Sequence, residues 1–189
     1  MRLFIAVKPA PAAAAHLEAA VAPLRAEPAL ASLRWTPAAA WHLTLAFIGE
    51  VDDDLLPALV QSLHRGLPEV PAPGPVRCRS AGSFGDRLVW IGLEGPQEPG
   101  SVPLRSLARA VRRLARQARM PVDAQPWFPH LTIGRDRPGG AAEAAAALLA
   151  EYQGPPWRPE AILVVSSVLG ASPVHEVKAE FPLTPGPAS

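Results

Sequence analysis

Short apolar runs with a strand-like period alternate along the chain with longer stretches of helical period, and this alternation predicts the elements. Residues 2–8, RLFIAVK, form a β-type run, and Leu17, Val21 and Leu24 follow at helical spacing, so a strand feeds an amphipathic helix. SLRWTP and WHLTLAFIG read as two strands around a turn at Pro37. DDDLLPALVQSLHRGL reads as a helix with acids at its positive end and a stop near Gly66. The breaker cluster PEVPAPGP marks an exposed connection, too short for a free linker. VRCRSAGSF and RLVWIGLEG make a hairpin about Gly85 and Asp86, and a helix is expected from about 103 to 119. In WFPHLTIGR, Pro129 biases Phe128 toward extended geometry. GGAAEAAAALLAEY is a helix of high alanine propensity, and AILVVSSVLG and HEVKAEFPL close the chain as strands. The pattern predicts an α+β fold in two similar halves, each a small, mostly antiparallel sheet backed by helices. One bilobal domain is expected over 1–189, with a Pro/Ala-rich tail fraying at 184–189.

Composition changes this picture only at a few points. A hydrophobic content of 49% argues against disorder, and a net charge of +1 means that any contact with nucleic acid must come from local arrangement. Positive charge rests almost wholly on arginine, Lys8 and Lys178 being the only lysines. The single cysteine, Cys78, has no disulfide partner and no metal-ligand spacing around it; it reads as a small buried side chain in a reducing compartment. The apolar run Leu3 to Val7 is too short for a secretory signal and is broken by Lys8 and Pro9. No window approaches the roughly 18 apolar residues of a transmembrane helix. A cytoplasmic monomer is expected, with no membrane contact and no obligate protein partner.

The candidate chemistry lies in a doubled motif. HLTLAFIGE begins at His42 and HLTIGR at His130, and two of the four threonines in the chain belong to this repeat. From residue frequencies, two of five histidines would open His-Leu-Thr by chance with a probability on the order of 10⁻⁴. On a strand, His42 and Thr44 share one face while Leu43 and Leu45 take the other, and His130 and Thr132 oppose Leu131 and Ile133 in the same way. If both strands face one cleft, two imidazoles and two hydroxyls converge. Imidazole titrates near neutrality, so one can take a proton from water while the other protonates a leaving alkoxide. Threonine hydroxyls donate to non-bridging phosphoryl oxygens, which suits a phosphodiester better than a carbonyl. The bland alternative is a pair of satisfied polar groups on amphipathic strands. Metal hydrolysis lacks a ligand cluster, since Asp52 to Asp54 open a helix; neither a G-x-S-x-G elbow nor a P-loop is present.

RLFIAV, RWTPAAAWHLTLAFIGEV and FPHLTIGR, in this order over nearly the whole chain, resemble segments of the two-histidine phosphoesterase superfamily, most closely its LigT-like RNA 2′,3′-cyclic phosphodiesterases. The resemblance implies a bilobal α+β fold in which two mostly antiparallel sheets flank a central cleft, with helices outside and both motifs lining the cleft. It implies no metal or other cofactor, and hydrolysis of a terminal 2′,3′-cyclic phosphate to a 2′-phosphate, with RNA 3′ ends or small cyclic-phosphate nucleotides as substrates. It further implies that His42 is the proton donor and His130 the acceptor, with Arg135 beside Thr44 and Thr132 on the phosphate. Reversal would join RNA ends at a 2′-5′ bond. Action on 2′-5′ linkages or ADP-ribose cyclic phosphate, a non-catalytic RNA-end clamp, and a structural protein with incidental histidines remain open alternatives.

Two positions depart from the family pattern: His175 stands where a tyrosine is usual near the C-terminal strand, and Trp41 precedes the first motif in place of a smaller aliphatic residue. Beyond the motifs, LRSLARAVRRLARQAR puts Leu104, Leu107, Val111 and Leu114 on one helical face and Arg105, Arg109, Arg112, Arg116 and Arg119 on the others. That stripe suits phosphate tracking as well as it suits a solvated face. Phe47, Trp127 and Phe128 are candidates for base stacking or for core, and His16 and His64 for surface roles.

Overall fold

In a computed structural model, which describes residues 1–95, 101–136, 140–168 and 174–183, the protein is an α+β fold of nine strands and four α-helices. The expected fraying tail, 184–189, lies outside the described residues. The strands are β1 (Arg2–Val7), β2 (Arg34–Trp35), β3 (Leu43–Glu50), β4 (Val76–Ser83), β5 (Leu88–Glu94), β6 (His130–Arg135), β7 (Gln153–Trp157), β8 (Ala161–Val168) and β9 (Val174–Pro182). The helices are α1 (Pro11–Val21), α2 (Leu56–Gly66), α3 (Leu104–Gln117) and α4 (Ala141–Leu148).

The strands follow the order β7-β4-β5-β6-β3-β1-β8-β9, every pairing antiparallel, and β2 adds to β6. The two expected sheets are the halves of this path, joined at the single pair Leu43↔Leu131 between β3 and β6. Each motif strand is therefore the innermost of its half. Both leucines at the seam are fully buried, facing the core that also takes Leu3, Ile5, Val7, Leu45, Val89, Ile91 and Ile133. The opposite face of β1 carries Phe4 and Ala6, packed with Leu163 and Val165 of β8 in a second, smaller cluster. Central strand β1 is thus covered on both faces, which is why its apolar run is continuous rather than alternating.

The helices do not simply back their own halves. α1, which follows β1, packs on β7 and β4 of the other half, and α3, which follows β5, crosses to pack on β3. α2 packs on α3 and α4 on β4 and β5. This exchange of helices ties the two halves together through apolar burial. Local rules account for these elements: α1 opens on Pro11, whose missing N–H costs nothing in the first turn, and the alanine-rich α4 has high helix propensity and buries Ala141, Ala142, Ala145 and Ala146.

Two sequence expectations are corrected. The acids at Asp53 and Asp54 sit in a short 3-10 turn, and α2 begins only at Leu56. β2 is two residues long and pairs with β6, not with the strand that follows it. GPPW, to which the sequence pattern assigned no element, belongs to the edge strand β7, where missing N–H groups interrupt no second ladder. Among the described residues no helix is long and apolar enough to cross a membrane.

Candidate active site

The site forms where the two motif strands cross. Leu43 opposes Leu131 directly, and carrying that register one residue outward sets His42 opposite Thr132 and Thr44 opposite His130. Directly opposed side chains lie roughly 5 Å apart at Cβ, and the two histidines occupy the diagonal, roughly 7–8 Å apart, so all four can surround one phosphoryl group. Leu43 and Leu131 point into the core, so this quartet lies on the other face.

Both imidazoles are held alike. His42 Nδ1–H donates to the Ala40 carbonyl at 2.8 Å, and His130 Nδ1–H donates to the Phe128 carbonyl at 2.9 Å. A carbonyl can only accept, so each neutral ring carries its proton on Nδ1 and offers Nε2. Phe4 stacks on His42 with ring centroids 4.7 Å apart, and His175 meets the same imidazole edge-on at 5.3 Å. On the other side, Phe84 and Phe128 pack against His130 at 5.2 and 5.7 Å, with Trp90 4.8 Å from Phe128. A Cβ at Gly82 would meet the Trp90 ring at 2.3 Å, so glycine there makes room for the indole across β4.

Arg135 reaches this face through a bulge. Five residues beyond His130, strict alternation would turn it toward the core. However, Trp90 pairs with Thr132 and Val89 with Gly134, which leaves Ile133 as an extra residue in β6. Ile133 and Gly134 both turn inward, and a Cβ at Gly134 would lie 2.9 Å from Leu33 and Val89 side-chain carbons. Arg135 then opposes Leu88 and shares the face of Trp90, His130 and Thr132. β3 has the same irregularity: Ala6 pairs with Thr44 and Ile5 with Ala46, so Leu45 is extra and Phe47 emerges on the cleft face opposite Phe4. The two motifs are thus built alike in backbone, with Arg135 and Phe47 at corresponding places. Phe47 holds the Arg2 guanidinium over its ring at 5.0 Å.

The cleft is electrostatically unbalanced toward cations. Burial pushes His42 down to about 4, against the pull of the Ala40 carbonyl, and His175, His130 and Lys8 depress it further. Burial also lowers His130, with Arg135 adding to the effect, and lowers His175, with Lys8 and Arg135 adding. No carboxylate among the described residues offsets these groups. Each therefore titrates below the ordinary histidine range. Among the described residues, no group of three or more His, Cys, Asp or Glu side chains is arranged to hold a metal ion.

Other expectations divide. Trp41 is fully buried in the core with its Nε1 donating to the Thr36 carbonyl at 3.0 Å, so it does not touch the cleft. His175, by contrast, lies against His42 and Phe4. Trp127 packs on the core and ties the halves, its Nε1 donating to the Thr44 carbonyl at 2.8 Å. Phe47 and Phe128 are exposed, Cys78 is buried, and His64 is on the surface. His16 is also exposed and pairs with the Tyr152 hydroxyl. Phe4, Lys8, Phe84 and Trp90 carried no motif. Gly82 and Gly134, glycines inside strands, were the available signals of a close approach and a bulge.

A sheet of two alike halves with paired His-x-Thr strands at its seam defines the two-histidine phosphoesterases. Residues 9–170 match the 2′-5′ RNA ligase superfamily, and the chain belongs to that family. It is 26% identical over 160 residues to an RNA 2′,3′-cyclic phosphodiesterase of Geobacillus stearothermophilus. That match covers 81% of this chain and 48% of the other, so the chain spans about half the length of this curated relative. Among solved structures, TT0787 of Thermus thermophilus is similar at a TM-score of 0.69 and 27% identity, with 97% of this chain and 98% of that one covered. E. coli LigT complexed with ATP is similar at a TM-score of 0.66 and 25% identity, with the same shares covered.

Proposed function

We propose that the cleft hydrolyses the terminal 2′,3′-cyclic phosphate of RNA to a 2′-phosphomonoester without a metal ion. The observation that carries this is the crossed pair of motifs, each imidazole locked at Nδ1 by the carbonyl two residues upstream and each offering Nε2 beside a threonine hydroxyl. His130 Nε2 accepts a proton from water as the water oxygen bonds to phosphorus. The P–O3′ bond breaks, and His42 Nε2–H protonates the departing 3′ oxygen. Thr44, Thr132 and Arg135 hold the non-bridging oxygens, where negative charge grows. The product keeps its phosphate on O2′, and exchange with solvent returns the proton from His130 to His42. With a 5′-hydroxyl in place of water, the same steps make a 2′-5′ bond as P–O3′ breaks, and run backward they cleave it, the 3′ oxygen bonding to phosphorus as the 5′ oxygen leaves.

His42 must be charged to donate, and burial favours its neutral form; the anionic substrate supplies the missing countercharge. The aromatic wall of Phe84, Trp90 and Phe128 stands where a terminal base can stack beside His130. A buried lone cysteine supports a cytoplasmic setting for this reaction.

The test is turnover of an RNA ending in a 2′,3′-cyclic phosphate, in EDTA, by wild type, His42→Ala and His130→Ala. Each variant should lose roughly 10² to 10⁴ in rate. Full activity in either variant, loss of wild-type activity in chelator, or tight binding of the end without product overturns the proposal. A parallel panel of 2′-5′ linked dinucleotides and ADP-ribose 1″,2″-cyclic phosphate identifies a different preferred diester.

A further inference from the structure

Away from the cleft, on the helix side of the sheet, α3 lines a second concavity of about 760 Å³. Arg105, Arg109, Arg112 and Arg116 stand along it, with Trp127 and Pro129 on the other side. Their spacing of four, three and four residues keeps these arginines on one helical face, over a run of roughly 16 Å. Leu107, Val111 and Leu114 of the same helix are buried in the core, so the arginine face cannot turn inward. Among the described residues no carboxylate lines the groove. Residues 104–119 contain six arginines and no acid, whereas the whole chain is only +1, so the remainder is net negative and positive charge is concentrated here. One end of the groove is the start of this 14-residue helix, at Pro103 and Leu104, which has no side-chain cap on its N–H groups and adds its own positive end.

The groove and the site are linked along the chain by one short segment. Trp127 and Pro129 wall it, and the next residue is His130. Trp127 is anchored to the Thr44 carbonyl, and the Pro129 carbonyl accepts from the Leu93 N–H at 3.1 Å, so this segment is held to both halves. Arg112 has a further duty, donating to the Asp123 and Gln125 carbonyls of the loop that leads into it.

We infer that this groove binds the phosphodiester backbone of RNA upstream of the cyclic end. A strand whose terminal phosphate lies between His42 and His130 passes the exposed ring of Phe128 and continues along α3, with Arg105, Arg109 and Arg116 on successive phosphates. This rests on the RNA-end reading of the cleft. It adds that chain length matters to binding and that nucleoside cyclic phosphates use only the cleft.

The experiment compares wild type with Arg105→Gln/Arg109→Gln/Arg116→Gln, which leaves Arg112 and its loop intact. Substrates are a nucleoside 2′,3′-cyclic phosphate and a single-stranded RNA octamer with the same end. The triple variant should raise KM for the octamer by roughly tenfold or more, and lower the slope of log KM on log salt by about 2, at unchanged kcat. Nucleoside turnover should stay at the wild-type value. An unchanged octamer KM, or equal losses on both substrates, overturns the inference. Fluorescence anisotropy with an octamer already ending in a 2′-phosphate reads binding without turnover. If wild type turns over neither substrate, the reading of the cleft fails, and this binding alone decides the groove. Undiminished affinity in the triple variant, or inorganic polyphosphate of equal charge competing as well as RNA, overturns it.

Discussion

The proton on His42 should be controlled by the anion in the cleft. In the empty protein its imidazole is pushed down to about 4, chiefly by burial, so at neutral pH it is neutral and cannot act as an acid. A phosphodiester monoanion about 4 Å from Nε2 would favour the charged ring by about 4 kcal/mol at an effective dielectric of about 20. That energy is a factor of roughly 10³ in protonation, enough to bring the group into the neutral range. The measurement is an NMR titration of the His42 Cε1–H signal, assigned by its loss in His42→Gln, without and with saturating sulfate, which stays anionic across the range. The empty protein should titrate well below the ordinary histidine range, and sulfate should move the midpoint up by a large part of that factor. By linkage, sulfate must also bind more tightly as pH falls through this interval. An ordinary midpoint in the empty protein, or a low one that saturating sulfate leaves unmoved, refutes the reasoning and with it His42 as the donor.

The same histidine should weaken the fold in acid. Its folded value, about 4, lies below the unfolded value of roughly 6.5, so stability is fully present above the latter and is lost as pH falls toward the former, by roughly 3 kcal/mol. His130 and His175, also lowered, act in the same direction; urea midpoints at pH 7.5 and 4.5 should differ less in His42→Gln. Thr44→Val and Thr132→Val keep shape and remove one hydroxyl each, and should lower kcat by roughly 10² with unchanged thermal melts. Gly134→Val forces carbon against Leu33 and Val89 at the bulge and should cost roughly 1–3 kcal/mol in urea unfolding while raising KM through a displaced Arg135.

Features set by neighbours in sequence were legible without coordinates. His42 and Thr44 share a face because adjacent strand residues alternate, and the same holds for His130 and Thr132. The β4–β5 hairpin announced itself through Gly85 and Asp86, and α4 through its alanines. The α+β class followed from the order of such segments. β7 was missed because Pro155 and Pro156 disfavour any strand except an edge, and nothing local says which strand is an edge.

The sequence by itself determined the chemical inventory: two imidazoles, two hydroxyls and a trailing arginine in a repeated order, on elements whose local periods leave little choice. Tertiary structure alone decided how they meet. The Leu43↔Leu131 pairing crosses the motifs, the extra residue Ile133 turns Arg135 onto the face of His130, and helices α1 and α3 exchange halves to hold the seam. It also decided that His175 and Phe4 close over His42 and drive its proton off. The physical reason is that periodicity depends on a residue's own backbone, whereas register, burial and the local field depend on partners brought together only when the core forms.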